Sequence, residues 1–212
     1  MIEYTKIETP FERDMRGTKK LIEGQWRNPF IEFLKDCQWE CTEKIDGTNI
    51  GVVWDGHKVS FQGRTEKAII PKGVEEFLDK TFGGIENEEL FEQMFGEENV
   101  ILFGEGYGNK IQKVGAEYRP DNSFILFDVY KVDKDIWLDR NAVASIATAF
   151  GIDNVPVIMT ANLQEAIDYV KTKPQSTIGT APMEGLVCRP KLDIRDNRGN
   201  RTIVKIKVCD FE

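Results

Sequence analysis

The stretch TEKIDGTNIGVVWDGHKVSFQGRT, residues 42–65, contains a lysine in the spacing K-x-D-G, followed by a strong β-hairpin signal. Two runs of β-branched and aromatic residues flank the Asp-Gly pair at 55–56, and this pair favours a tight turn between antiparallel strands. A surface turn needs only Asp46 and Gly47. A nucleophile at Lys44 needs further charged groups around it, and the rest of the chain has to supply them.

Length, composition and charge set broad limits on the class of protein. The 212 residues suffice for one large domain or two small ones, and 41% hydrophobic with 30% charged residues is ordinary for a soluble globular protein. No apolar run approaches the ~20 residues that cross a bilayer, and the charged N-terminal segment is unlike a secretory signal. Four cysteines are best explained as reduced thiols, so we expect a cytoplasmic protein with no membrane partner. The net charge of −8 disfavours a protein that coats nucleic acid by bulk electrostatics, although a local basic groove is compatible with it.

Several familiar sites have little support. Cys37 and Cys41 are spaced C-x3-C, but the other two cysteines lie far apart, so structural zinc is disfavoured. The only histidine, His57, falls in the predicted hairpin turn, which argues against Ser-His-Asp or Cys-His catalysis. The segment DIRDNRGNR, residues 193–201, resembles a calcium loop but has the wrong acid spacing, and a solvated turn between two strands is favoured.

Strand and helix signals do not alternate regularly, so the predicted fold class is α+β with mainly antiparallel sheets flanked by helices. Helical periodicity covers residues 69–82, 87–95, 139–151 and 162–173. Apolar runs of strand length occupy residues 99–106, 123–131, 155–159, 184–190 and 201–208.

Further charged residues occur where strands would aim them at one place. In IVKIKV, residues 203–208, Lys205 and Lys207 share one strand face while the apolar residues share the other. Such a lysine pair either lies in water at a charged sheet edge or lines an anionic pocket. Glu105 ends an apolar strand between two glycines, and Glu184 begins another, where a carboxylate can contact a ribose or a metal or simply end a turn.

These groups meet one chemical need together. A lysine amine has a reference pKa of about 10.4 and must lose its proton to act as a nucleophile. Nearby cations, namely Lys205, Lys207, Arg64 and a bound metal, favour the neutral amine of Lys44. The same cations balance the charge of a triphosphate and of the pyrophosphate that leaves.

Six segments in this order are similar to the nucleotidyltransferase motifs of polynucleotide ligases and capping enzymes. They are EKIDGTNI, GRTEKA, LFGEGYG, FILFDV, MEGLVCRP and VKIKV. The chain most resembles the ATP-dependent RNA ligases of the nick-sealing type, because TNI follows the K-x-D-G where DNA ligases and cap guanylyltransferases usually carry an arginine. The resemblance implies one ligase adenylyltransferase domain over residues 1–212, with its sheets around a nucleotide cleft and no additional C-terminal domain.

The resemblance also implies roles for individual residues. Lys44 attacks the α-phosphorus of ATP and forms a lysyl-AMP, with Mg²⁺ or Mn²⁺ present, and the AMP then passes to an RNA 5′-phosphate before a 3′-hydroxyl seals the strand. The other residues implied are Glu43 and Ile45 at the adenine, Arg64 and Glu105 at ribose and phosphate, Phe127 stacked on the adenine, Glu184 and Asn49 at the metal, and Lys205 and Lys207 at the α-phosphate.

Alternatives remain open from the sequence alone. A DNA ligase or capping-type transferase would use the same lysine, and a non-catalytic nucleotide- or RNA-binding module would keep the site without turnover. The segment GNKIQK, with Lys110 and Lys113, is the best local candidate for contacts to a polynucleotide backbone, and a solvated loop explains it equally well. A buried core phenylalanine is likewise the alternative explanation for Phe127.

Overall fold

Twelve β-strands and six α-helices form along residues 1–212, all of which the computed structural model describes. The strands are β1 (Phe11–Arg13), β2 (Leu21–Trp26), β3 (Trp39–Lys44), β4 (Thr48–Trp54), β5 (Val59–Gly63), β6 (Val100–Gly108), β7 (Asn122–Lys131), β8 (Ile136–Trp137), β9 (Asp153–Asn154), β10 (Val157–Ala161), β11 (Gly185–Pro190) and β12 (Val204–Lys207). The helices are α1 (Pro29–Leu34), α2 (Lys72–Phe82), α3 (Ile85–Phe95), α4 (Gly115–Tyr118), α5 (Arg140–Ala149) and α6 (Leu163–Lys171). No helix is long and apolar enough to cross a membrane.

The chain divides into two units, each with its own sheet and its own hydrophobic core. Unit 1 comprises Met1–Tyr4 and Asp46–Val155, and unit 2 comprises Thr5–Ile45 and Pro156–Glu212. Both units combine antiparallel strands with helices, so the predicted α+β class is confirmed. The assignment of residues 1–212 to one ligase domain stays a prediction.

Unit 1 is built on a six-stranded sheet in the order β5-β4-β6-β7-β8, with β9 pairing parallel to β7. The predicted hairpin is β4–β5, and its turn forms because the Asp55 carboxylate accepts the backbone N–H of His57 at 2.9 Å and of Lys58 at 2.8 Å. Gly56 takes a positive φ of 94° there, which few other residues tolerate. The Asp-Gly pair therefore fixes the hairpin register for the local reasons that the sequence indicated.

Helices α2, α3 and α5 supply the other half of the unit 1 core. Helix α2 buries Val74, Leu78 and Phe82 at intervals of four residues, which lie on one helix face. The Phe82 ring meets Phe124 of β7 edge-on at 5.7 Å between centroids. Truncation of a buried phenylalanine of this kind costs about 3–5 kcal/mol, so the packing of α2 on the sheet is a main source of stability in this unit.

Unit 2 is built on an antiparallel four-stranded sheet in the order β10-β3-β11-β12, together with the β1–β2 hairpin. Helix α6 begins at a capping box in which Asn162 and Glu165 exchange side-chain and backbone hydrogen bonds. Its buried residues Ala166, Ile167 and Val170 join the unit 2 core. The helical and strand segments predicted in this part of the chain are confirmed, although β12 is shorter than the apolar run indicated.

Candidate active site

Strand register in unit 2 brings three of the predicted site residues together. Gly185 of β11 is the cross-strand partner of Lys44 in β3 on one side and of Lys207 in β12 on the other. Glu184 precedes Gly185 directly, so its side chain enters between the two lysines. The pairing joins segments that are about 140 residues apart in the chain, which explains why no local pattern reveals it.

The Glu184 carboxylate binds both lysines. Lys44 Nζ donates to Glu184 Oε2 at 2.8 Å, and Lys207 Nζ donates to Glu184 Oε1 at 2.8 Å. The three side chains are only 14–31% exposed, so the ion pairs are partly shielded from water. Charge-assisted hydrogen bonds of this length are stronger than neutral ones, and they hold the Lys44 amine in a defined place.

Gly185 is required by the close approach of β12. A Cβ at this position would lie 2.0 Å from the carbonyl oxygen of Ile206, well inside contact distance. Any larger residue would therefore push β11 away from β12 and move Glu184 with it. The sequence indicated a functional carboxylate at Glu184 but not the structural role of the glycine that follows it.

Lys207 has a higher pKa than an ordinary lysine. Burial lowers its pKa, but the hydrogen bond to Glu184 and the charge of that carboxylate outweigh burial, so the pKa of Lys207 lies above its ordinary value. Lys205, two residues earlier, shares the same strand face and is half-buried. The structure thus presents two half-buried cations along β12, beside the lysine of the K-x-D-G motif.

Glu43, the residue before Lys44, is buried, with 1% of its surface exposed. Its carboxylate accepts hydrogen bonds from the hydroxyls of Ser176 and Thr177 and from the Thr177 backbone N–H at 2.9 Å. A carboxylate engaged by three donors is held rigidly, so a contact with an adenine through the backbone suits Glu43 better than one through its side chain. Ile45, on the other side of Lys44, is also buried. Ser176 and Thr177 were missed by sequence analysis, because nothing in their own segment indicates a distant buried partner.

The turn after Lys44 belongs to unit 1 and is held by hydrogen bonds to other segments of that unit. The Gln112 side-chain amide donates to the Gly47 carbonyl at 2.9 Å, and the Asp46 backbone N–H donates to the Tyr118 hydroxyl at 3.4 Å. A Cβ at Gly47 would lie 2.3 Å from the Gly106 carbonyl oxygen. The glycine of the K-x-D-G motif is therefore required by packing against β6.

The remaining predicted residues lie in unit 1. Asn49 of β4 and Glu105 of β6 are cross-strand partners, so the unit brings these two together. Phe127 sits at a bulge where β7 gains one residue relative to β6; it is partly exposed, and its ring contacts that of Tyr4 edge-on at 4.9 Å. Arg64 follows β5 directly and is exposed. Phe127 is thus not a fully buried core residue.

The carboxylate of Glu184 suits a divalent metal that binds together with a phosphate ligand. No group of three or more His, Cys, Asp or Glu side chains is arranged to hold a metal ion by itself. Mg²⁺ is commonly bound by one or two carboxylates together with waters and substrate phosphates, and a carboxylate offers about four acceptor sites. Glu184 uses two of these sites to accept hydrogen bonds from Lys44 and Lys207, and the others remain for a hydrogen bond from metal-bound water.

Comparison with known protein families gives a match that covers most of the chain. The family model described as RNA ligase matches residues 38–207, which include every predicted site residue. The chain belongs to the RNA ligase family. Curated proteins provide no match to this chain.

Solved RNA ligase structures share the fold. A lysine-to-methionine mutant of Naegleria gruberi RNA ligase with AMP and Mn superposes with a TM-score of 0.66 at 18% identity, covering 98% of this chain and 62% of that one. A glutamate-to-alanine mutant of the same ligase with ATP and Mn gives a TM-score of 0.64 at 20% identity, covering 86% of this chain and 53% of that one. The chain therefore spans about half to three fifths of the length of these ligases. At such identities the likeness establishes the fold, which is the one expected for a nucleotidyltransferase of the RNA ligase family.

Proposed function

We propose that this chain is an ATP-dependent RNA ligase in which Lys44 carries AMP as a covalent intermediate. The Lys44 amine attacks the α-phosphorus of ATP, an N–P bond forms, and the bond to pyrophosphate breaks. A 5′-phosphate oxygen of RNA then attacks the same phosphorus and releases Lys44. The RNA 3′-hydroxyl finally attacks the activated 5′-phosphate, so that the strand is joined and AMP leaves.

The three residues of unit 2 that meet at Gly185 perform the first step. The Glu184 carboxylate holds the Lys44 amine in position until ATP binds. Glu184 would also hold the metal through its bound waters, and its release of Lys44 would free the amine to attack while Lys207 remains near. Lys205 and Lys207 then bind the α-phosphate and offset the negative charge that develops as pyrophosphate departs.

Other residues bind and orient the nucleotide. We assign the adenine to Ile45, to the backbone of Glu43 and to the Phe127 ring, and the ribose and phosphates to Glu105 and Arg64. Glu184 and Asn49 would hold Mg²⁺ or Mn²⁺ through its bound waters. The metal, when bound, neutralises phosphate charge and helps to bring the α-phosphorus to the amine. Naegleria gruberi RNA ligase structures with ATP and Mn support this choice of nucleotide and metal.

One observation carries the proposal. Lys44, the lysine of the K-x-D-G motif, makes an ion pair with Glu184, which is shared with Lys207, within a chain of the RNA ligase family. A binding module needs no half-buried primary amine held in this way. The four cysteines are free thiols, which supports a cytoplasmic location for the enzyme.

Labelled nucleotide transfer tests the proposal. We expect the protein to become labelled from [α-³²P]ATP but not from GTP, and to pass the label to 5′-phosphorylated RNA in preference to DNA. The Lys44→Arg variant keeps the positive charge and should remain unlabelled. The control is Lys58→Arg, which changes an exposed lysine in the β4–β5 turn and should be labelled like the wild type. Labelling from GTP would indicate a capping-type transferase, and transfer only to DNA ends would indicate a DNA ligase.

A further inference from the structure

Unit 2 has a pocket of about 840 Å³ that has no part in the proposed adenylation chemistry. Its wall combines the aromatic side chains of Phe30 and Phe33 with the cations Lys6 and Arg198. Ligand pockets commonly have volumes of ~300–1,000 Å³, so this one has room for a nucleotide unit. The turn at residues 193–201, which resembled a calcium loop in sequence, forms part of the wall.

The aromatic part of the pocket is presented by α1. This helix buries Ile31 and Leu34 in the unit 2 core, and Phe30 packs partly against the same core, whereas Phe33 faces away from it. Phe33 is 80% exposed, although phenylalanine is among the residues most often buried in a folded protein. An exposed ring beside a pocket is a surface on which a flat base can stack.

The cationic part is held by a rigid turn. The Asp196 carboxylate accepts the Asn200 side-chain amide at 3.0 Å and the backbone N–H groups of Asn200 at 2.9 Å and Arg198 at 2.8 Å, and these bonds lower the pKa of Asp196. Arg198 stands at the tip of this turn, while Arg201 at its base is buried and pairs with Asp193 at 3.5 Å. Arg198 is thus the cation of the turn that can reach a ligand.

The charges in the pocket favour an anionic ligand. Its two carboxylates are already engaged, because Asp196 closes its own turn and Glu8 binds Arg27 at 2.8 Å. Lys6 contacts Glu8 only at 3.7 Å and is 78% exposed, so its ammonium remains accessible. Protein interfaces tend to exclude charged residues from their cores, whereas an aromatic ring flanked by cations is typical of sites for single-stranded nucleic acid.

We propose that this pocket binds an unpaired nucleotide of the RNA substrate, with the base stacked on Phe33 and the adjacent phosphates held by Lys6 and Arg198. The inference rests on the proposed ligase function for its substrate class. It supplies the chain, whose net charge is −8, with a local site for a polyanion. No residue of the pocket takes part in the transfer of AMP to Lys44.

Fluorescence anisotropy with a labelled 5′-phosphorylated single-stranded 12-nucleotide RNA tests the site on the full chain. Loss of a stacked base weakens binding by ~5- to ~150-fold, which is the expected effect of Phe33→Ala. Phe33→Tyr should retain binding because it keeps the ring. Arg198→Ala should reduce the slope of log K against log[salt] by about 0.7, as expected for one lost phosphate contact with a single strand.

Matched controls separate this inference from the proposed function. Ile85→Ala and Lys80→Ala remove an exposed apolar side chain and an exposed lysine from unit 1 and should leave RNA binding unchanged. All variants should form the Lys44–AMP adduct at the wild-type rate. If the wild-type chain forms no adduct, that result counts against the proposed function and not against the pocket assignment. Wild-type RNA affinity in Phe33→Ala, or a wild-type chain that does not bind RNA, overturns the pocket assignment. The pocket assignment is also overturned if a protein binds over Phe33 and RNA still binds with wild-type affinity.

Discussion

Glu184→Gln removes the charge that Lys44 and Lys207 share while keeping the size of the side chain. Each lysine donates a 2.8 Å hydrogen bond to one carboxylate oxygen. In the variant, one of these positions becomes an amide NH₂ group, which cannot accept a hydrogen bond. Two ammonium groups that are 23% and 31% exposed are then left together without a counter-charge.

The expected loss of stability follows from these contacts. A hydrogen bond to a charged group contributes about 1.5–3 kcal/mol, and partial exposure of all three side chains reduces that contribution. We therefore expect Glu184→Gln to lower the free energy of unfolding by about 2–4 kcal/mol at neutral pH. The rate of lysyl-AMP formation should fall by about 100-fold or more, because a displaced nucleophile loses its alignment with the α-phosphorus.

The pH dependence of this loss has a definite sign. The pKa of Lys207 is lowered by burial and raised more strongly by Glu184, with a net increase. A group with a raised folded pKa stabilises the protein fully below its unfolded pKa, about 10.4 for lysine, and loses that contribution as pH rises through the folded value. The stability difference between wild type and Glu184→Gln should therefore be constant from neutral pH to about pH 10 and shrink above it.

Urea unfolding and a quenched time course of AMP labelling measure the two effects. Glu98→Gln is a matched control, because Glu98 also lies between two lysines, Lys131 and Lys134, but is more exposed and belongs to unit 1. Its effect on stability should be smaller, and it should not slow AMP labelling. The reasoning is refuted if Glu184→Gln unfolds and labels like the wild type, or if Glu98→Gln slows labelling equally.

Three further predictions concern single residues. Gly47→Ala should lower the free energy of unfolding by about 1–3 kcal/mol in urea unfolding, because its Cβ would lie 2.3 Å from the Gly106 carbonyl oxygen; wild-type stability would contradict the packing argument. Ser176→Ala should cost about 1.5–3 kcal/mol in the same experiment, since it removes a donor to the buried Glu43 carboxylate, and no change would show that this bond is not formed. The pKa of Glu98 is about 2 because of hydrogen bonds from two lysines, so its contribution to stability should be complete above its unfolded value of about 4.3 and be lost as pH falls through 2. A carbon-13 NMR titration that places this pKa near 4 would contradict the observed ion pairs.

Local features of the fold were predictable where the physics is local. The β4–β5 hairpin follows from the Asp-Gly turn, and α5 is capped by Asp139, whose side chain accepts the Ala142 N–H at 2.8 Å. The alternation in β12 placed Lys205 and Lys207 on one face, as expected for a strand. Such features depend on residues within a few positions of one another, so one sequence is enough to indicate them.

Features that depend on strand partners were not predictable in the same way. The sequence indicated Glu184 as a metal ligand and nearby cations as activators of Lys44, but not that Glu184 is the shared partner of two lysines. That arrangement depends on β11 lying between β3 and β12, which is a long-range pairing. The buried contacts of Glu43 with Ser176 and Thr177 are long-range for the same reason.

The division into two units also left no local signal. The chain passes from one unit to the other after Tyr4, Ile45 and Val155, and none of these points has the composition of a flexible linker. The crossing after Ile45 lies inside the K-x-D-G motif itself. Because the chain crosses between the units inside a motif, the amino-acid composition does not change there and does not indicate the boundary.

Mass spectrometry of the intact protein tests the central claim most directly, namely that Lys44 becomes covalently adenylated. The protein is measured with and without ATP and Mg²⁺, and then after addition of pyrophosphate. We predict a mass increase of one AMP that peptide mapping assigns to Lys44 and that pyrophosphate reverses, with no increase in Lys44→Arg. A folded protein, shown not to be adenylated already, that gains no AMP, or gains it on another residue, would contradict the account.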